Sequence, residues 1–439
     1  MKTIPLHTTA TAPAMPARRV RGAPPPWRPQ WLFAAPHRLA FGAGALMLAA
    51  SAVWWLVAIA ARAVGVELPW ALPPAIAHGL LMGFGFMPLF FAGFLFTAGP
   101  KWLDVPAPSA RALLPAILAQ LAGWTVFVLG VHARDAELAR SLGALGLAAA
   151  ALGWSSLAAR FAALVRASRV HDRVHARCIA AAALVGAVLL WTAALALAVG
   201  AVAWLRPVAL AGLWGFAGAV YVTVVHRMVP FFTAAAVPQL DAWRPYWLLA
   251  VLVGAMALEA LAAVAQALWW PWPAAAHALQ AAVQAVVAVL LLALAVRWGL
   301  VQSLALRLLA MLHLAFVWLG VAFALAALSN ALVALGAEPL GRAPLHAFTM
   351  GFLGSMLLAM ATRVSSGHSG RTLAADDFAW ALYLVLQVAV LARLGAELLP
   401  VGTAWWTVAA ALLWALCVGG WAWRHGRWYG RPRVDGRPG

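Results

Sequence analysis

An all-α, polytopic membrane helix bundle is the fold class that this sequence predicts, on three observations. Apolar residues fill 65% of the 439 positions and charged residues 10%, and mean hydropathy is positive, which leaves no room for an ordinary soluble domain. The apolar residues gather into about twelve runs of the roughly 20 residues that hydrocarbon about 30 Å thick demands. Those runs are unbroken, whereas strands of a transmembrane barrel alternate.

The elements follow in order. Residues 1–35, rich in Pro, Ala and Arg, read as a disordered cytoplasmic tail. They are not read as a cleaved signal, because the first long apolar run starts downstream and is long enough to span. The transmembrane domain is placed at 36–424. Its first run lies near 39–64, and the second, near 75–99, opens on His78-Gly-Leu-Leu-Met-Gly-Phe84. The third and fourth lie near 112–131 and 138–160, the latter Ala-rich. The fifth, near 178–203, starts at Cys178; the sixth, near 208–229, closes on His226 and Arg227 with Pro230 at the helix end, since the residue before a proline avoids helical geometry. The seventh, near 245–267, carries Glu259, the one acidic residue well inside a run. His277 opens the Ala-rich eighth, near 274–296, and His313 lies well into the ninth, near 307–335. The tenth, near 343–362, begins at His346 and leads into a tight polar loop, Ser365-Ser-Gly-His-Ser-Gly370. The eleventh and twelfth lie near 378–398 and 402–423, and 425–439 is a basic cytoplasmic tail. Two isolated cysteines, Cys178 and Cys417, read as small buried hydrophobes rather than a disulfide or a zinc site.

Basic residues set the expected orientation. With the amino terminus cytoplasmic, 24 of the 30 Lys and Arg fall on the cytoplasmic side and six, Arg62, Arg134, Arg140, Arg206, Arg342 and Arg393, on the other. That asymmetry predicts both termini inside a bacterial inner membrane. It also accounts for the net charge of +18 with membrane lipid as the partner and no nucleic acid.

Chemistry in such a chain lies between helices, where an ionisable group is expensive and asks for a partner. His78 and His346 stand out because they agree. Both begin helices running inward from the outer face, since an even number of spans separates them, so they sit at similar depth. Each has a methionine four residues on, Met82 and Met350, on the same helix face. Gly79, Gly83 and Gly85 follow on one helix, and Gly351 and Gly354 on the other, admitting a neighbouring helix or a flat macrocycle. Two facing imidazoles at one depth suit a six-coordinate haem iron; ordinary helix packing accounts for the same small residues. His313, His226 and His368, with the two methionines, are candidates for metal ligation or for supporting the site. Glu259 is a candidate buried acid. Arg363 and Arg371 flank a polar nest that suits an anion, a haem propionate or a docked turn.

The run Ala359-Met-Ala-Thr-Arg-Val-Ser-Ser-Gly-His-Ser-Gly-Arg371, preceded by Leu345-His-Ala-Phe-Thr-Met-Gly351, resembles the signature of the NnrS family, haem- and copper-containing inner-membrane proteins linked to bacterial nitric oxide metabolism and nitrosative stress. Gly93-Phe-Leu-Phe-Thr-Ala-Gly-Pro-Lys-Trp102, Arg227-Met-Val-Pro-Phe-Phe-Thr233 and Leu312-His-Leu314 are similar to three further blocks of that family. The resemblance runs from Pro36 to about Trp423. It implies haem b, with copper as a further cofactor, and nitric oxide or a related small molecule as ligand. One departure touches copper: the family's His-x-His-Glu-Met stands here as Ile76-Ala-His78-Gly79-Leu80, so one histidine and the acid are missing.

A more distant likeness is to the haem-copper oxidase catalytic subunit, whose low-spin haem is held by histidines of the second and tenth spans. The seventh run here lacks that subunit's histidine pair, so no oxygen-reducing copper centre is expected. Two function classes remain. In one, the protein binds or turns over nitric oxide, or relays electrons from a donor the sequence does not name, in denitrification or nitrosative-stress resistance. In the other, it is a transporter or metal-permease-like bundle without haem. Neither reading names a catalytic residue.

Overall fold

The computed structural model describes residues 25–437 except position 270. Among them, twelve helices are long and apolar enough to cross a membrane: Pro36–Ala63, Pro74–Leu95, Ala110–Val131, Ala136–Ala167, Val174–Ala198, Val202–Ala236, Tyr246–Leu268, Ala274–Arg297, Arg307–Ala334, Ala343–His368, Asp377–Leu398 and Thr403–Tyr429. No strand occurs among the described residues. The protein is an all-α, multi-pass membrane bundle.

Four spans form its centre. In the second, sixth, ninth and tenth, 67% to 89% of the most apolar window is buried, against 22% to 50% in the others. Eight of the nine histidine, methionine and arginine candidates, His78, Met82, His226, His313, His346, Met350, Arg363 and His368, lie within these four helices, and Arg371 follows just after the tenth. The outer spans wrap them, with the third and fourth in backbone-to-backbone contact. A Cβ on Gly123 would stand 2.6 Å from the Ala150 nitrogen and 2.6 Å from the Gly146 oxygen, the close approach that small residues permit in lipid.

Local geometry departs from expectation in four places. The tenth helix runs on through Ser365–His368, so the expected polar loop is its last turn. The reversal comes only at Gly370, whose φ of +72° suits glycine, and where the Arg371 amide bonds back to the Ser366 carbonyl at 3.0 Å. Pro230 sits inside a helix that continues to Ala236. A membrane bundle tolerates this when neighbours satisfy freed carbonyls, and Arg244 Nη1 donates to the adjacent Arg227 carbonyl at 3.2 Å. The second span is interrupted after Phe84 and resumes at Met87, since Pro88 has no N–H for the Phe84 carbonyl. Finally, the two H-x-x-x-M-G-F segments differ in backbone. Pro74–Phe84 is α-helical, whereas Ala347–Gly354 is a π-helix, so Met350 does not repeat Met82's relation to its histidine.

A second π-helix, Gly212–Gly218 in the sixth span, meets the first. Trp214 stacks on Phe348 with ring centres 3.8 Å apart and planes 15° apart. Wide turns of this kind recur at functional sites.

Both tails close on one end of the bundle. Residues 1–24 of the expected disordered tail lie outside the described residues, while Pro29–Ala34 forms a 3-10 turn. The Arg28 amide donates to the Gly430 carbonyl at 2.8 Å, and Trp27 Nε1 donates to the Gly426 carbonyl at 3.1 Å. With an even number of spans, this terminal end lies opposite the start of every even-numbered span.

Candidate functional site

His78 and His346 stand at that opposite end, on two of the four central helices. Both are half-buried and lie within electrostatic reach of each other and of Arg342 and Arg393. Each ring is held differently. Trp55 of the first span stacks on His78 at 4.0 Å and 20°, and His78 Nδ1 is buried without a hydrogen-bond partner. His346 Nδ1 donates to the Arg342 carbonyl at 3.0 Å, which fixes the tautomer and leaves Nε2 as the lone-pair nitrogen.

The support behind His346 reaches the eleventh span. The Arg342 amide donates to Glu397 Oε2 at 3.0 Å, and Arg393 Nη2 donates to Glu397 Oε1 at 2.6 Å. One residue, Arg342, thus ties the Arg393–Glu397 pair through its amide to the imidazole at its carbonyl. Gly341 makes this possible: its φ is +55°, and a Cβ there would strike the Glu397 carboxylate. Arg393, 9% exposed, keeps Nη1 without a partner. Composition alone assigned no role to Arg393 or Glu397, because a pair four residues apart on a helix reads as routine surface charge.

Those donor atoms fit a haem iron: two imidazoles at one end of the central helices, one with its outer nitrogen already engaged. The glycines do not face a macrocycle. A Cβ on Gly79 would meet Ala209, on Gly83 Leu213, on Gly351 Trp318 and on Gly354 Trp414, so these positions seat neighbouring helices. Among the described residues, no group of three or more His, Cys, Asp or Glu is placed to hold a metal ion.

Remaining candidates separate into distinct neighbourhoods. His313, fully buried, lies 2.8 Å from Thr233 Oγ1. That hydroxyl gives its proton to the Val229 carbonyl at 3.0 Å, so His313 Nε2–H is the donor and Nδ1 is a bare, buried lone pair. His226 is paired with His175, which the expected span boundary at 178 excluded. His226 Nε2–H donates to the Pro245 carbonyl at 3.1 Å, its Nδ1 accepts from His175 Nε2 at 2.9 Å, and His175 Nδ1 is left unpartnered. Just outside the membrane segment, burial pushes the Asp172 carboxyl up, but a Tyr246 hydroxyl, the Val174 amide and nearby cations outweigh it and hold the group below its ordinary value.

Glu259 is half-buried between helices, where Gln284 Nε2 donates to it at 2.9 Å. Asn330 Nδ2 donates to Gln284 Oε1 at 3.0 Å, and His277 Nδ1 lies 2.8 Å from Asn330 Oδ1. This polar chain joins the seventh, eighth and ninth spans. Met82 and Met350 are half-buried. Arg363 and Arg371 do not form one nest: Arg363 lies over the Phe232 ring at 3.8 Å, and Arg371 over Trp428 at 4.3 Å.

The profile of the family described as NnrS protein matches residues 31–433, a stretch that contains all twelve spans, and the chain belongs to the NnrS family. No curated protein matches the chain. Family membership points to a role in nitric oxide-related processes.

Proposed function

From that membership, we propose that the protein is a b-type haem protein of the bacterial inner membrane, which binds, senses or turns over nitric oxide or relays electrons in its metabolism. The observation that carries this reading is the pair His78 and His346, half-buried at one end of the central helices with His346 Nδ1 bound to the Arg342 carbonyl. A haem held there by His78 and His346 would supply one-electron chemistry and an iron able to bind a diatomic ligand. The chain's own part is orientation and exclusion of water. The Arg342 carbonyl holds the His346 ring; Glu397, itself held by Arg393, accepts from the Arg342 amide; Trp55 covers one face of His78.

Cells lacking the protein are expected to be more sensitive to a nitric oxide donor, or to denitrify poorly, while aerobic growth is retained. Wild-type protein restores resistance and His346→Ala does not. A deletion strain that tolerates the donor, denitrifies normally and loses uptake of a solute would replace this reading with the transporter.

Orientation completes the proposal: both termini are cytoplasmic, and the histidine pair lies toward the outer face, because 24 of 30 basic residues then lie inside. Reporter fusions after Arg134 and after Trp423 are expected to report opposite sides. The same side for both would refute the arrangement.

A further inference from the structure

A second site lies at the terminal end of the bundle. There, a cavity of about 360 Å³ opens between the second, sixth and tenth helices. Lys101, Arg363, His368 and Arg433 reach it from three different segments, and Phe232 and Met360 are among its apolar walls. Lys101 is exposed and Arg363 half-buried, and a half-buried cation is costly unless something of opposite sign offsets it.

Among the described residues, only Arg433 of the three cations Lys101, Arg363 and Arg433 has a carboxylate partner. Arg433 donates through Nε at 2.9 Å and Nη2 at 2.6 Å to Asp435, and the Arg433 side chain holds the Asp435 carboxyl down at about 2. Arg433 Nη1 also donates to the His368 carbonyl at 3.1 Å, and the Val434 amide to the Ser369 carbonyl at 3.1 Å. The carboxyl tail is thus strapped across the end of the tenth helix, and Gly370 fits under Asp435 because it has no Cβ. By contrast, among the described residues no carboxylate lies within ion-pair distance of Lys101 or Arg363.

Arg363 is also presented in a particular way. Phe232 covers the face of its guanidinium at 3.8 Å, a favourable stack that leaves the in-plane N–H donors, the edge that grips oxyanions, with no protein acceptor among the described residues. Behind His368 lies His37, 2% exposed, ring on ring at 4.4 Å and with Nδ1 unpartnered. The two ring planes are tilted by 43° to each other.

We propose that this cavity binds a phosphate-type oxyanion attached to an organic body, with Arg363 and Lys101 gripping the oxyanion and Phe232 and Met360 receiving the body. It is distinct from the histidine pair at the other end and does not rest on haem. An anionic lipid headgroup and a soluble phosphorylated molecule share this chemistry, and the test separates them.

Full-length protein is placed in nanodiscs of zwitterionic phosphatidylcholine and its thermal midpoint followed during titration with inorganic phosphate, with chloride at equal ionic strength as the control. Phosphate raises the midpoint and chloride does not. Arg363→Gln and the exposed-site variant Lys101→Gln each bind phosphate about tenfold more weakly, the loss of one charge-assisted hydrogen bond, and Arg363→Lys loses less. If phosphatidylglycerol in the disc raises the midpoint and abolishes the phosphate response, the headgroup is the ligand; if the response persists, the soluble anion is. No stabilisation of wild type by either anion, or equal stabilisation of the Lys101→Gln protein, overturns the proposal.

Discussion

The His346→Ala and His78→Ala proteins are each expected to lose the six-coordinate, low-spin spectrum of a b-type haem, with His346→Ala losing more of the bound cofactor. The asymmetry follows from how the rings are held. His346 is oriented in advance by the Arg342 carbonyl at 3.0 Å, itself fixed through Glu397, so its nitrogen needs little reorganisation to serve as a ligand. His78 is held by stacking on Trp55, an interaction that allows the ring to slide. Removing either imidazole leaves iron with one protein ligand at most. Added imidazole is expected to enter the truncated site and restore the spectrum in part. Full, unaltered spectra in both variants would show that the ligands are elsewhere.

The largest effect on stability is expected at Gly146, where the third and fourth spans touch. A Cβ there would lie 2.6 Å from the Gly123 carbonyl oxygen and closer still to the Phe127 nitrogen. Both are backbone atoms, which cannot swing aside as a side-chain tip can. Gly146→Val must therefore separate two helices along their length, at a cost of roughly 1–3 kcal/mol or more. Gly254 is the natural control, since a Cβ there meets nothing within 4 Å. In detergent, Gly146→Val should give a lower thermal midpoint and less monodisperse protein, and Gly254→Ala should match wild type. Equal stability of the two variants would contradict the close-contact reading.

Hydropathy made the number and order of spans legible, because each helix must satisfy its backbone internally and bury its sides in lipid or protein. What it misplaced were the ends. His37, His175 and His425 are all buried, yet each falls one to three residues outside the runs near 39–64, 178–203 and 402–423. Arg38, Arg177 and Arg424 beside them lower local hydropathy without ending the helix. Pro230 misled in the same way, since helix propensity measured in water does not include the neighbours available in a bundle. The paired motifs located two histidines on central helices, but no residue pattern announced the π-helix below His346 or the Glu397 contact behind it. Those depend on partners about 130 and 50 residues away, Trp214 and Glu397. Glycine was ambiguous from the start: spacing alone does not say whether the space beside Gly351 belongs to a cofactor or, as here, to Trp318.

The central claim is that this bundle holds haem between the second and tenth spans. Its most direct test is the reduced-minus-oxidised absorption spectrum of the purified wild-type protein, together with its iron content. The account predicts a b-type spectrum with low-spin bis-histidine character and iron bound in proportion to protein. Protein that is folded and monodisperse, expressed with ample haem, yet free of haem absorption and iron would contradict it.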